Sequence, residues 1–325
     1  MPKALCSEQE FIELWQTYAS ASKIAEILQT PIRKVNARRR RIEERLKINL
    51  DIPPEKQKYN NHNVNQSSRN PARAHLGIEN GTVIIFSDSH FWPGIHTTAY
   101  RGLLWAIEEL QPKAVIANGD VFDGASISRH PRIGWDSTPS VIQELKACEL
   151  ALGEIEETAK KARHNVQLVW TLGNHDARFE NRLAANAPQY EHVKGFSLKD
   201  HFPAWKPCWS AWITEDVVVK HRWKGGIHAT HNNTVGSGKT MVTGHLHSLK
   251  VTPYSDYNGN RFGVDTGTLA ETDGPQFMDY LEDAPVNWRS GFAVLSFKNG
   301  KLLWPELVHK WADGQIEFRG QIIDV

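Results

Sequence analysis

Asp88-Ser89-His90, Gly119-Asp120-Val121-Phe122-Asp123, Gly173-Asn174-His175-Asp176 and Gly244-His245-Leu246-His247 gather carboxylates, imidazoles and one amide into four short clusters. Each follows an apolar run: Thr82-Val83-Ile84-Ile85-Phe86, Ala114-Val115-Ile116-Ala117, Val166-Gln167-Leu168-Val169-Trp170 and Met241-Val242-Thr243. Short apolar runs bounded by turn signals predict buried parallel strands. In an open α/β sheet the ligand crevice lies beyond the carboxyl ends of the strands. The clusters are therefore expected to meet at one metal site. Singly each is weak: Asp-x-His recurs by chance, Gly-Asp and Gly-Asn are common turns, and a histidine beside a strand is more often a core residue than a ligand. Together, at strand ends, they carry weight.

The elements that must position them follow from periodicity. From Thr82 onward strands and helices alternate, with helices expected over Thr97–Leu110 and Ser140–Arg163 and a further strand over Asp216–Lys220. Near the end, Gly291–Lys298 and Lys301–Val308 flank Asn299-Gly300, a two-residue hairpin signal. Alternating βα units followed by antiparallel strands predict a layered α/β domain over residues 81–325. Residues 180–215, with Trp205, Trp209 and Trp212, are expected to shape a pocket or a partner surface.

Residues 1–50 read as a small all-α domain. Phe11, Ile12, Leu14 and Trp15 start one apolar face, Ser22 is placed to cap a second helix over Lys23–Leu28, and Pro31 opens a third. In the third, Ile32, Val35, Ile42 and Leu46 fall near one stripe. Its other faces carry Arg33, Lys34, Arg38, Arg39, Arg40 and Arg41, a basic last helix that suggests a helix-turn-helix and contact with DNA phosphates. The segment resembles the small helix-turn-helix domains of phage and mobile-element proteins. The plain alternative is a solvated basic helix, with Glu43 and Glu44 pairing some of the arginines. Residues 51–80, rich in Pro, Asn, Gln and Ser, read as a linker in which His62 and His75 are solvated.

Charge is nearly balanced, with 38 Lys and Arg against 37 Asp and Glu, so any polyanion-binding patch must be local. Cys6, Cys148 and Cys208 form no CxxC pattern and no disulfide framework, which fits a reducing compartment. No apolar run approaches the roughly 18 residues of a membrane span. The expectation is a soluble protein of the cytoplasm, or of the host cytoplasm if phage-encoded, with no membrane partner.

The order D-x-H, G-D-x-x-D, G-N-H-D, a lone His after a strand, then G-H-x-H, from about Thr82 to Leu249, resembles the calcineurin-like metallophosphoesterase superfamily. That resemblance implies a layered β-sandwich flanked by helices and a centre holding two divalent metal ions. It implies Asp88, His90 and His247 on one ion, Asp120 bridging, and Asn174, His221 and His245 on the other. His175 is then the residue that stabilises the transition state or protonates the leaving oxygen, while Asp123 and Asp176 orient imidazoles or backbone. For the lone His, His228 and His231 compete with His221; otherwise they touch substrate or start a helix. Carboxylate, imidazole and amide oxygen suit manganese, with iron or zinc as alternatives, rather than calcium. Ions about 3.5 to 4 Å apart clamp an in-line phosphoryl displacement by a water they acidify.

Protein phosphatases of the superfamily carry G-D-x-x-D-R-G and G-N-H-E, whereas here Asp123-Gly124 and Asp176 stand at those places. The motifs look closer to bacterial and phage phosphodiesterases and repair exonucleases. Arg129, His130 and Arg132 either hold a phosphate or form an exposed basic turn. The favoured expectation is a DNA-directed phosphodiesterase or nuclease. The alternatives are a small-molecule phosphatase or diphosphohydrolase with a regulatory N-terminal module, and an inactive DNA-binding adaptor.

Overall fold

Three amphipathic helices build the first of two units. A computed structural model of the chain describes residues 6–18, 20–46, 50, 70–128, 138–275, 277 and 285–325, and divides it into Met1–Arg69 and Asn70–Val325. In the first unit α1 (Glu8–Tyr18), α2 (Ala21–Ile27) and α3 (Ile32–Leu46) enclose Phe11, Trp15, Ile24, Val35 and Ile42. The cap of α2 is Ser20 and not Ser22: Ser20 has the extended backbone an N-cap needs, and its side chain accepts from Lys23 N. The expected apolar stripe of α3 holds only at its middle. Ile32 is 48% and Leu46 40% exposed, because the ends of a 15-residue helix overhang a partner of 7 residues.

The second unit starts earlier than its composition suggests. Residues 51–69, and with them His62, lie outside the described residues, but Arg73–His75 form a strand, β1, inside the span expected to be linker. Its inward Ala74 is buried, with Leu76 and Ile78 following it into the core, while His75 is exposed and packs against Trp212. There follow β2 (Gly81–Phe86), α4 (Thr98–Leu110), β3 (Ala114–Asn118), α5 (Val141–Ala162), β4 (Gln167–Thr171), α6 (Asp176–Asn186), β5 (Lys206–Cys208), β6 (Ser210–Thr214) and β7 (Val217–Val219). The unit continues with α7 (Ala229–Ser237), β8 (Thr240–Thr243), β9 (Lys250–Asp256), β10 (Gly259–Asp265), β11 (Gly291–Lys298), β12 (Lys301–Leu302), β13 (Glu306–Ala312), β14 (Gln315–Phe318) and β15 (Gln321–Asp324).

Two sheets result, a layered α/β arrangement. One runs β15-β14-β13-β11-β2-β3-β4-β5, with β12 paired to β11; the other runs β1-β6-β7-β8-β10-β9. Strands β2 to β5 are parallel, and β11 lies antiparallel beside β2. Period-two alternation splits each strand between two cores. Val83, Ile85, Ile116 and Val169 face Ala211, Ile213, Val219 and Val242 of the other sheet. Ile84, Val115, Leu168 and Trp170 face outward onto Leu103 and Ile107 of α4 and Leu152 and Ile155 of α5.

Capping fixes the helix starts: Thr97 Oγ1 accepts from Tyr100 N at 3.1 Å, and Ser140 with Gln143 forms a capping box. Asn299 and Gly300 have φ of 51° and 73°, as a two-residue hairpin turn requires. The return strand expected over Lys301–Val308 is broken into β12 and β13, with Pro305 at the break, where no N–H is available for a ladder. Trp205 is a core residue, edge-on to Phe86, while Trp209 is 45% exposed and Trp212 carries Arg73 on its face. The expected pocket at residues 180–215 is therefore not what Trp205 builds. Among the described residues no helix is long and apolar enough to cross a membrane.

Helix α7 presses its backbone onto β10. A Cβ on Gly263 would lie 2.2 Å from Thr230 O, which no side-chain rotation relieves. Gly263→Ala is expected to cost about 1–3 kcal/mol, read as a lower urea midpoint at unchanged slope; an unshifted midpoint would show that the helix simply moves away.

Candidate metal centre

Every expected ligand sits in a turn that leaves a strand: Asp88 and His90 after β2, Asp120 after β3, Asn174 after β4, His221 after β7, His245 and His247 after β8. The turns are sharp. Asp88, His90, Asp120, His245 and His247 have φ of 52°, 41°, 53°, 71° and 54°, a region that residues with a Cβ seldom occupy. Close approach also selects Gly173, where a Cβ would lie 2.0 Å from Asp120 Oδ1 and 2.3 Å from its backbone nitrogen.

These turns bring two sets of ligand atoms together. Asp88, His90 and His247 form one, and Asp120, His221 and His245 the other, the atoms of each lying within 4.8 Å of one another. Asp88 Oδ1 is 3.1 Å from His247 Nε2 and 4.0 Å from His221 Nε2, so this carboxylate reaches towards both sets. Asp120 Oδ2 is 3.1 Å from His221 Nε2 and 3.9 Å from His175 Nε2. It is His221, and not His228 or His231, that joins the cluster. His228 precedes α7 and is exposed, and His231 is an exposed residue packed on Tyr254.

The electrostatics are those of a site built for positive charge. Asp88 and Asp120 are buried, which raises a carboxyl pKa, yet His247 and His221 bring Asp88 down to about 2, and His221 and His175 hold Asp120 well below the usual range. Burial lowers His221, but Asp120 and Asp88 outweigh it and push the ring up to about 10. Burial and His221 bring His245 down to about 4, leaving a neutral ring with a lone pair. His221 Nδ1 donates to Asn118 O at 2.7 Å, so Nε2 is the atom turned to the site.

The donor set fits divalent cations by another criterion. Asn174 Oδ1 is buried without a hydrogen-bond partner, and Asp88 Oδ1 and His221 Nε2 meet only each other's cluster, at 3.1 Å or more. Orphaned buried polar atoms are rare because each costs its desolvation, and cations would satisfy such a group. Oxygen and imidazole donors without thiolate match a borderline divalent ion.

Asp123 and Asp176 work one layer back. Asp123 Oδ1 accepts from His90 Nδ1 at 2.8 Å and His175 Nδ1 at 2.9 Å, fixing two rings with one oxygen. Asp176 accepts from the backbone N–H of Asp120, Val121, Phe122 and Gly173 and from the Trp170 indole, at 2.9 to 3.1 Å. It therefore ties the second motif to the third. Burial and Asp120 push its pKa up to about 6 against those five donors.

Three neighbours carried no sequence signal strong enough to single them out. Arg178, one turn after His175, donates to His175 Nε2 and to Asp123 O, each at 3.0 Å. Its spacing on α6 was the available clue. Trp288 packs on His247 with ring centroids 4.6 Å apart, and Phe277 lies against both His90 and His247; nothing local foretold either. For His175, burial lowers the pKa but Asp120 and Asp123 raise it more. The Arg178 hydrogen bond nevertheless holds Nε2 as an acceptor, so a proton placed there must displace the guanidinium. Arg129, His130 and Arg132 lie outside the described residues.

In the first unit the basic helix splits in two. Arg38 and Arg39, expected to face DNA, are turned to their own unit: Arg38 donates to Cys6 O and lies over Phe11, and Arg39 pairs with Glu43 over Trp15. Arg33, Lys34, Arg40 and Arg41 are exposed and make no ion pair among the described residues.

A family model of calcineurin-like phosphoesterases matches residues 81–263, more than half of the chain. The gene 54 proteins of Mycobacterium phages L5 and D29 are each 24% identical to it, over 254 and 251 residues, covering 70% of this chain and 92% of each relative. Solved structures similar to it include an archaeal phosphodiesterase (14% identity, TM-score 0.35, 70% of this chain and 99% of that one). A dimetal phosphatase from Danio rerio is 11% identical with TM-score 0.35, covering 76% of this chain and 98% of its own.

Just behind the second motif, buried Glu144 accepts from Gly124 N and Ala125 N at 2.9 and 3.0 Å. Burial, with Asp123 adding to it, pushes this carboxyl from 4.5 up to about 7. A raised folded pKa favours folding while the group is protonated, so that stability is complete below about pH 4.5 and is lost as pH rises through about 7. In Glu144→Gln no such proton exists. The stability difference is expected to move in the variant's favour by up to about 3 kcal/mol between about pH 4.5 and pH 8. Parallel pH profiles from urea denaturation would refute it.

Proposed function

The chain belongs to the calcineurin-like phosphoesterase family, and on that premise we propose that it is a two-metal phosphodiesterase whose polymer substrate is DNA. The observation that carries this reading is the convergence of buried Asp88 and Asp120 with two sets of imidazoles. Asp88, His90 and His247 would hold one ion and Asn174, His221 and His245 the other, with Asp120 between them. When bound, such a pair supplies an acidified water and neutralises the phosphoryl oxygens of an in-line displacement. Manganese is the proposed metal, on the oxygen and nitrogen donors.

The residues around the ions do the rest. Asp123 sets the ring planes of His90 and His175 together, so that ligand and transition-state group move as one. His175 Nε2 faces the side of Asp120, where it can meet an ester oxygen. Asp176 keeps the Asp120 turn shaped through backbone donors.

DNA is proposed from the first unit. Four exposed cations on α3, free of ion pairs among the described residues, form a face suited to phosphates. The small-molecule reading keeps the same centre and gives this face another role. An inactive adaptor has no physical need for unsatisfied buried donors, and is disfavoured.

Asp120→Asn and His247→Ala are each expected to lower manganese-dependent hydrolysis of bis(p-nitrophenyl) phosphate by at least roughly a hundredfold. Undiminished activity in both would reject the centre. Replacing Arg33, Lys34, Arg40 and Arg41 by Ala is expected to weaken duplex DNA binding and flatten the slope of log affinity against log salt by about 3 to 4. The chromogenic diester should be cleaved as before. An unchanged salt slope would leave the small-molecule phosphatase as the better reading.

A further inference from the structure

We propose that Arg178 is the phosphate-holding side chain of this centre: its guanidinium leaves His175 Nε2 for a non-bridging oxygen of the substrate while staying anchored on Asp123. The inference rests on the phosphoesterase reading of the centre and adds a substrate contact to it.

Three observations carry it. Arg178 is half-buried at the edge of the cluster, and its two hydrogen bonds go to neutral acceptors, Asp123 O and His175 Nε2, both at 3.0 Å. It forms no ion pair among the described residues, although Asp120 and Asp123 lie close to His175. A guanidinium held by a carbonyl and an imidazole keeps its full charge for an incoming anion, where a carboxylate partner would have spent it. The second is position. His175 Nε2 is 3.9 Å from Asp120 Oδ2, so the group that Arg178 touches is itself turned towards the carboxylate cluster. The third is geometry: a planar fork with two nitrogens in use on one side can keep one bond and redirect the other, which suits the tetrahedral face of a phosphate. The exchange also frees Nε2 to face the ester oxygen.

Substitution separates this role from mere support. Arg178→Gln keeps an N–H for Asp123 O and loses the charge; Arg178→Lys keeps the charge and loses the fork. In the full chain loaded with manganese, calorimetric titration with inorganic phosphate is expected to show about 10- to 100-fold weaker binding for Arg178→Gln. Bound manganese, by elemental analysis, should stay at the wild-type level. Arg178→Lys should fall between, and kcat/KM on bis(p-nitrophenyl) phosphate should drop in the same order. Added guanidinium ion at millimolar concentration should recover part of the activity of Arg178→Ala and none in wild type. Phosphate affinity within twofold of wild type in Arg178→Gln would overturn the proposal, as would loss of manganese together with activity and no recovery by guanidinium. Wild-type protein that binds manganese but neither phosphate nor the diester would instead sink the parent reading of the centre.

Discussion

Two carboxylates buried side by side, Asp88 and Asp120, set the terms for the second unit. Burying an unpaired ion costs several kcal/mol after relaxation, and a second like charge raises that cost. The protein answers with His221 and His247 at 3.1 Å from one or the other carboxylate, and Asp120 and Asp88 raise the pKa of His221 in return. A cation held between the carboxylates would neutralise both more fully. The packing around it can then be understood as a frame that stops the carboxylates from turning away to water.

That frame is the pair of sheets. Parallel strands β2, β3 and β4 deliver three motifs from one sheet, and β7 and β8 deliver two from the other. A residue immediately past a strand inherits the strand's rigidity, yet a ligand must also turn inward over the sheet edge. Left-handed backbone at five of the ligands makes that turn, at about 1 kcal/mol or more apiece. Asp176 is the counterweight. Its five donors lock the Asp120 turn to the Gly173 turn, while Asp88 N and His90 N donate to Gly119 O and Asp120 O and His245 N donates to Asp88 Oδ2. A shorter carboxylate than Glu at this position reaches the four amides from the first turn of α6.

Much of this was legible in the sequence because it is local. A strand, a glycine and a ligand lie within ten residues in each motif, and the strand ends agree with the apolar runs to within a residue. What was not legible depends on partners distant in sequence. β1 is three residues with one inward side chain, and it exists because β6 offers an edge to it. Arg38 and Arg39 look like their neighbours on α3 until Cys6, Phe11 and Trp15 claim them. Ile32 and Leu46 obey the helical period but overhang their partners. Arg178 carries the right spacing and no motif.

The division has a physical origin. Bond-breaking chemistry needs a few atoms placed within tenths of an ångström, and only short segments clamped at strand ends deliver that, so its signature is compact in sequence. The surroundings of the centre are assembled from separated pieces, such as Trp288 against His247 and Phe277 beside His90. Neither of these aromatic rings is constrained to a fixed spacing from the motifs. A chain can therefore keep its reaction while its specificity drifts, and a reader of the sequence meets the reaction first.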